Sequence, residues 1–333
     1  MTNNSEPLIS VKDLSVAFRT PDGLVRAVID ATFDIHPGEV LAVVGESGSG
    51  KSVTALALMR LHPKNAEITG SVMFNGHDLL TASEDEMRAI RGRDIAMIFQ
   101  DPMTAMNPVF SVGSQIVEVI RLHRDVNKKQ AWERAVDLLQ MVGVPDPKAR
   151  ASQYPHEYSG GMRQRAMIAM AIANDPRLLI ADEPTTALDV TVQAQVMEVL
   201  HDVQQATGSA MMLITHDLGV VAGSADRVQV MYASRVMESG SVDEIFYETS
   251  NPYTSALLDS IPDIEGSREL LQPIPGNPPS LLNPPSGCAF RPRCAHATQE
   301  CGDSVPQMVD VSPAHMSRCH RVDELYRLAE VSS

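Results

Sequence analysis

Apolar and polar residues alternate over much of Leu8 to Phe18, as they do along a half-buried strand. Pro21-Asp22-Gly23 then supplies a turn before a second stretch from Val25 to Phe33. The pair predicts a hairpin. The pattern then changes to a continuous apolar run, Val40-Leu41-Ala42-Val43-Val44, as in a buried parallel strand, followed by a glycine-rich segment and a helix predicted over Val53 to Arg60. Gly70 to Gly76 reads as a second short strand with turn glycines, in the same sheet region as the hairpin. Ile95 to Phe99 is a buried strand that Pro102 terminates, which leaves Gln100 at its tip. From Val112 to Val142 the spacing becomes helical: Ile116, Val119 and Ile120, then Ala135, Leu138, Leu139 and Val142. A loop with Pro145, Pro147 and Pro155 follows. Two more buried strands end in chemistry: Leu178 to Ala181 in Asp182-Glu183-Pro184, and Met211 to Ile214 in Thr215-His216-Asp217. Short apolar strands alternating with helices predict an α/β fold with a mostly parallel sheet, an antiparallel β part ahead of it and a helical insert.

Composition narrows the setting. At 333 residues and 44% hydrophobic content the chain is long enough for one large domain with an appendage, or for two domains. Its apolar runs, such as Ala166 to Ala173, fall well short of the roughly 18–20 residues of a membrane span. Met1 to Pro7 is polar and lacks the pattern of a secretory signal, so the expectation is a soluble, cytosolic chain. A net charge of −15 without any run of Lys or Arg is repelled by a phosphate backbone, which excludes nucleic acid as the expected partner.

Gly45-Glu46-Ser47-Gly48-Ser49-Gly50-Lys51-Ser52 fits the phosphate-loop pattern, and its place between a strand and a helix makes the match specific. Glycines let backbone N–H groups turn inward around a triphosphate, and the helix N-terminus adds partial positive charge behind them. Lys51 would neutralise the outer phosphates and Ser52 would offer a hydroxyl to Mg²⁺. The pattern occurs once. A second anion-binding helix end is predicted at Tyr158-Ser159-Gly160-Gly161-Met162, where Ser159 caps the helix and the two glycines expose N–H groups. One chain with two such ends means that one is structural or that it serves another nucleotide. Strand-end acids are often solvated turn residues. Downstream of a phosphate loop, however, Asp182 is the expected metal ligand through water, and Glu183 the group that orients or deprotonates an attacking water. Gln100 and His216 sit at strand tips, where ligands meet parallel sheets, and an imidazole there can stabilise charge on a leaving group. Phe18 is either an edge aromatic or a platform for an adenine ring.

These residues, in this order over about residues 8 to 250, resemble the ATP-binding cassette (ABC) ATPases: phosphate loop, loop glutamine Gln100, signature Tyr158 to Met162, carboxylates Asp182-Glu183, the dimer-contacting loop Ala187-Leu188-Asp189 and switch histidine His216. The signature departs from its commonest form at Tyr158 and Met162 but keeps Ser159, Gly160 and Gly161. The resemblance implies an ABC-type core at 8–250, with a helical subdomain at about 101–175, and a C-terminal extension at 251–333. It implies ATP and Mg²⁺, with Ser52, Gln100 and Asp182 around the metal, Phe18 on the adenine, and Ser159 to Gly161 serving the nucleotide of a facing cassette. Within the family, Met97 to Thr104, Tyr158 to Arg165, Ala181 to Asp189, Asn251-Pro252-Tyr253-Thr254 and Pro275-Gly276-Asn277-Pro278-Pro279 look like the D-type subunit of bacterial oligopeptide/dipeptide importers, the Asn-Pro-Pro run favouring the oligopeptide branch. That narrower resemblance implies a peripheral ATPase on the cytoplasmic face of the plasma membrane. Its implied partners are a second, related ATPase in a heterodimer, two permease subunits and an extracytoplasmic peptide-binding protein. The alternative is a soluble ABC ATPase of DNA repair or the ribosome. Such proteins typically carry a long coiled-coil insertion or two cassettes, and neither is seen here. A regulatory cassette that binds ATP without hydrolysing it is opposed by Glu183 and His216.

All four cysteines fall in the tail, at Cys288, Cys294, Cys301 and Cys319. In a cytosolic chain a disulfide framework is not expected, which leaves a metal site or four packed thiols, and clustering favours metal. The spacing matches neither paired C-x-x-C zinc sites nor the common ferredoxin runs. Wide, uneven spacing is more readily reconciled with a cube held at its corners than with one ion, and the resemblance to peptide-importer ATPases with similar tails implies a [4Fe–4S] cluster, with Zn²⁺ as the alternative.

Overall fold

The computed structural model describes residues 6–186, 189–260, 273–322 and 324. Its chain divides into two units. One holds Ile35–Val40 and Thr81–Ile214; the other holds Ile9–Asp34, Leu41–Leu80 and the described part of the chain from Thr215 onward.

In the second unit, strands β1 (Ile9–Thr20) and β2 (Gly23–Ile35) form the expected hairpin. Strand β3 (Val40–Val44), buried at every position, leads into the phosphate loop. Strands β4 (Ala66–Phe74) and β5 (His77–Asp78) extend the hairpin to a four-stranded sheet in the order β2-β1-β4-β5. Strand β4 runs antiparallel to β1, from Ile9 opposite Phe74 to Phe18 opposite Ala66, with a bulge between Lys12 and Ser15. Gly70 belongs to that bulge rather than to a turn. At φ +99° it lies where a Cβ would come within 2.6 Å of the carbonyl oxygens of Lys12 and Asp13, a close approach that only glycine permits.

The first unit contributes three parallel strands, β6 (Ile95–Ile98), β7 (Leu178–Asp182) and β8 (Ala210–Thr215), with β7 in the middle. All three are buried at every position, as parallel strands covered on both faces should be. The helical insert holds two amphipathic helices, Val112–His123 and Lys128–Met141, each opened by a side-chain cap, Ser111 and Asn127. The helix Gly160–Ala171 begins at Ser159, whose Oγ accepts from the N–H of Met162. An 18-residue helix, Val190–Thr207, starts on Asp189 and stops at Gly208 in the left-handed region. Ala187 and Leu188, which precede it, lie outside the described residues.

Back in the second unit, β9 (Arg227–Tyr232) runs parallel to β3, and β10 (Arg235–Ser241) turns back antiparallel to β9. The extension adds β11 (Val309–Ser312) and β12 (His315–Ser317), which carry the antiparallel order on as β9-β10-β12-β11. Tail and sheet share one core: Tyr253 and Phe290 pack with Tyr232, Val230 and Val44, and the Tyr232 and Tyr253 ring centroids are 4.4 Å apart. Among the described residues no helix is long and apolar enough to cross a membrane.

Candidate nucleotide site

The phosphate loop takes its shape from three glycines at positive φ: Gly45 (+145°), Gly48 (+77°) and Gly50 (+106°). Two of them have no alternative. A Cβ on Gly45 would lie 2.0 Å from the carbonyl oxygen of Met231, and one on Gly50 would lie 2.3 Å from that of Ala27. Because Gly50 is itself the left-handed N-cap, the helix opens at Lys51 and runs to Leu58, two residues earlier than the apolar pattern predicts. Lys51 is buried, and its ammonium donates to the carbonyl oxygens of Gly45 (2.7 Å) and Glu46 (3.1 Å). The Ser49 hydroxyl is buried without a hydrogen-bond partner, a polar atom that a ligand would satisfy. Glu46 is half-buried, Ser47 and Gly48 are exposed, and Ser52 opens the helix beside Lys51. Phe18 sits partly buried near the end of β1.

In the other unit, Gln100 follows β6 and Glu183 follows β7, and their side chains meet: the Gln100 amide donates to Glu183 Oε2 at 2.8 Å. The Thr186 hydroxyl donates to the same oxygen at 2.8 Å. Glu183 itself takes φ +45°, and its N–H donates to the carbonyl of Ile214 on the neighbouring strand. This departure from strand geometry ends β7 at Asp182, which is buried. His216, which belongs to the same unit as the phosphate loop, is exposed. Ser159 is exposed at its helix cap, and Gly161 packs where a Cβ would come within 2.8 Å of Val192. Tyr158 is buried, with its hydroxyl donating to the carbonyl of Arg150 at 2.9 Å, so a phenol fills an apolar slot by finding a partner for its one polar atom.

The four tail thiols line a single small cavity together with His296 and His320. The N–H of Cys288 donates to the carbonyl of Cys301 at 2.8 Å, which ties two of the cysteine segments together. Burial pushes the Cys288 and Cys294 thiols up, and Cys319 up to about 11, each raised further by its neighbouring cysteines. The thiols are free of disulfides. Among the described residues no three His, Cys, Asp or Glu side chains are placed to hold one metal ion.

Two family models match the chain: that of the ABC transporter over residues 28–186, and that of the oligopeptide/dipeptide transporter, C-terminal region, over 237–301. The chain is 50% identical over 322 residues to the oligopeptide transport ATP-binding protein OppD of Haemophilus influenzae, a match covering 97% of this chain and 99% of the relative. It belongs to the ABC transporter family of ATP-binding proteins. Identity to OppD of Bacillus subtilis is 52% over 311 residues (92% and 87% covered), and to the dipeptide transport protein DppD of Lactococcus lactis 50% over 320 residues (96% and 92%). Solved structures agree on the fold: a dimeric ATP-binding cassette in a post-hydrolysis state with ADP and Pi superposes at a TM-score of 0.64, with 24% identity over 70% of this chain and 98% of that one. CbiO1 of Clostridium perfringens superposes at 0.61, with 25% identity over 73% and 92%. Against this cassette fold, the residue that sequence reasoning missed is Thr186. A threonine three positions after an acid in a turn reads as ordinary turn chemistry, and only the structure shows its bond to Glu183.

Proposed function

We propose that this chain binds and hydrolyses ATP through the residues named above, and that the cycle drives uptake of oligopeptides or dipeptides across the cytoplasmic membrane. The chain is an ATPase subunit of an oligopeptide/dipeptide ABC importer, and the near full-length identity to OppD, extension included, is the observation that carries this. The proposed cassette spans 8–250 and the extension 251–333.

The loop N–H groups, Lys51 and the unsatisfied Ser49 hydroxyl take the phosphates, with Lys51 exchanging two carbonyl acceptors for phosphate oxygens. Phe18 supports the adenine. Ser52, Asp182 and Gln100 would hold Mg²⁺, which neutralises charge building on the transferred phosphoryl group. Glu183, its Oε2 fixed by Gln100 and Thr186, orients a water and accepts its proton as the new O–P bond forms and ADP leaves; His216 stabilises the γ-phosphate. Ser159, Gly160 and Gly161 serve the nucleotide of a facing, related but distinct cassette. Permease subunits and a peptide-binding protein complete the complex, and this chain lies on the cytoplasmic face of the membrane. Purifying the tagged complex and identifying its subunits tests this: the expected set is two ATPases and two permeases, whereas two copies of this chain with no second ATPase would remove the heterodimer. ATP-dependent peptide uptake by that complex in vesicles tests the activity.

Cys288, Cys294, Cys301 and Cys319 would hold a [4Fe–4S] cluster. One feature supports the fit: four thiol donors line one cavity, with Zn²⁺ as the alternative occupant. Its role would be structural, stapling a proline-rich segment.

A further inference from the structure

The phosphate loop carries an acid, Glu46, where the ligand is a polyanion. An unpaired carboxylate there would repel the nucleotide. The structure pairs it with a residue 247 positions away: Arg293 of the extension makes two parallel bonds to Glu46, Nη1 to Oε2 at 2.6 Å and Nη2 to Oε1 at 3.0 Å. The arginine side chain is only 5% exposed. Its fork is held in turn by the carbonyls of Pro275 (2.8 Å) and Ile274 (3.3 Å) and by the Tyr232 hydroxyl (3.2 Å). A second tether reaches the same residue, for the Glu46 N–H donates to the Tyr253 hydroxyl at 3.0 Å. The third polar group of Glu46, its carbonyl, accepts from Lys51 Nζ at 3.1 Å and from the N–H of Ser49 at 3.2 Å. Glu46 is therefore gripped at its amide and carboxylate by residues of the extension, while its carbonyl anchors the lysine and serine of the loop.

We propose that Arg293 is a positioning residue for the nucleotide site: through Glu46 it holds the first turn of the phosphate loop in its binding shape, so that nucleotide affinity depends on the C-terminal extension. A bidentate, desolvated arginine–carboxylate pair is among the more directional contacts a protein makes, and truncating one partner releases the other. Binding energy is lost when a loop must be ordered by its ligand rather than beforehand. The inference rests on reading Gly45 to Ser52 as the nucleotide loop.

The test uses the full-length chain in its assembled complex, with ATP affinity from a fluorescent-ATP titration competed by ATP, and with kcat and KM from phosphate release. For Arg293→Met the expected result is a rise of about ten-fold in Kd and KM with kcat within about two-fold of the wild type. Glu46→Gln should show the same split, and the double variant should bind no worse than the weaker single one, since both remove one contact. A role confined to folding of the tail gives a different picture: a lowered melting temperature for Arg293→Met, ATP affinity unchanged, and an indifferent Glu46→Gln, which overturns the proposal. Should Arg293→Met fail to fold, Glu46→Gln decides alone, since it leaves every other bond of Arg293 in place; unchanged affinity there overturns the proposal. A wild-type complex that binds no ATP would instead sink the nucleotide reading itself.

Discussion

The Gln100 amide and Oε2 of Glu183 meet at 2.8 Å although 83 residues separate them, and the Thr186 hydroxyl completes a two-donor clamp on that oxygen. Two hydrogen bonds to the ionised form hold the carboxylate in one orientation. Glu183→Gln keeps the size and loses the charge, so nucleotide binding should persist while turnover falls by about a hundred-fold or more. Thr186→Val removes only one donor. It should lower kcat by roughly ten-fold with KM nearly unchanged, because the loss falls on orientation rather than on binding. Phosphate release by the assembled complex, alongside nucleotide titration, checks both; a normal kcat at the Glu183→Gln site would remove Glu183 from its catalytic role.

Gly45 and Gly48 both have positive φ, yet they should differ sharply when replaced by alanine. A Cβ on Gly45 meets the Met231 carbonyl oxygen at 2.0 Å, whereas one on Gly48 meets nothing within 4 Å. Gly48→Ala therefore bears only the backbone strain, about 1–2 kcal/mol. Gly45→Ala adds a clash between fixed backbone groups, so the loop must move away from β9. Denaturant unfolding should show the larger loss for Gly45→Ala, and only that variant should lose nucleotide binding almost completely.

The contrast shows which parts of the molecule could be read from the chain. Strands β3, β6, β7 and β8 were legible because a parallel strand buried on both faces must be apolar throughout, and the loop was legible because only glycine tolerates its backbone. The Ser159 cap was legible for a similar reason: local chemistry fixes it within three residues. The bonds of Gln100 to Glu183 and of Arg293 to Glu46 were not. Each joins segments far apart in the chain, and nothing in the spacing of a polar residue names its distant partner. The helix Val190–Thr207 was missed although Asp189 and Gly208 mark its ends, because β-branched Val190, Thr191 and Val192 mask the periodicity.

Tyr158 offers a test that depends on pH. Burial pushes its phenol up to about 12, with Arg150 opposing and Glu157 adding to the shift. The folded state thus favours the protonated phenol: the contribution is complete below the ordinary value near 10 and is lost as pH rises through about 12. Tyr158→Phe removes one of two donors on the Arg150 carbonyl, which keeps the N–H of Gln153 at 2.8 Å, and should cost about 1 kcal/mol at neutral pH. The variant should also lose less stability than the wild type between pH 10 and 12. Urea unfolding of both proteins across that range measures the difference, and parallel curves would refute this account of the phenol.

The cysteine-lined cavity gives the last expectation. Burial pushes the Cys288 and Cys294 thiols up, and Cys319 up to about 11, so a bound metal must displace protons there and supply the charge that burial otherwise penalises. A cluster held at four corners spreads that charge over a volume that a single ion would not span. Anaerobic purification should therefore yield a brown protein with about four iron and four sulfide per chain and an absorption band near 400 nm. Cys301→Ser, at the most buried of the four, should lose the colour and lower the melting temperature. Because Cys294 directly follows Arg293, loss of the cluster should also weaken ATP binding, by less than Arg293→Met does, while kcat at saturating ATP stays near that of the wild type. A colourless protein carrying one zinc per chain, or four free thiols with full thermal stability, would replace the cluster with the simpler alternative.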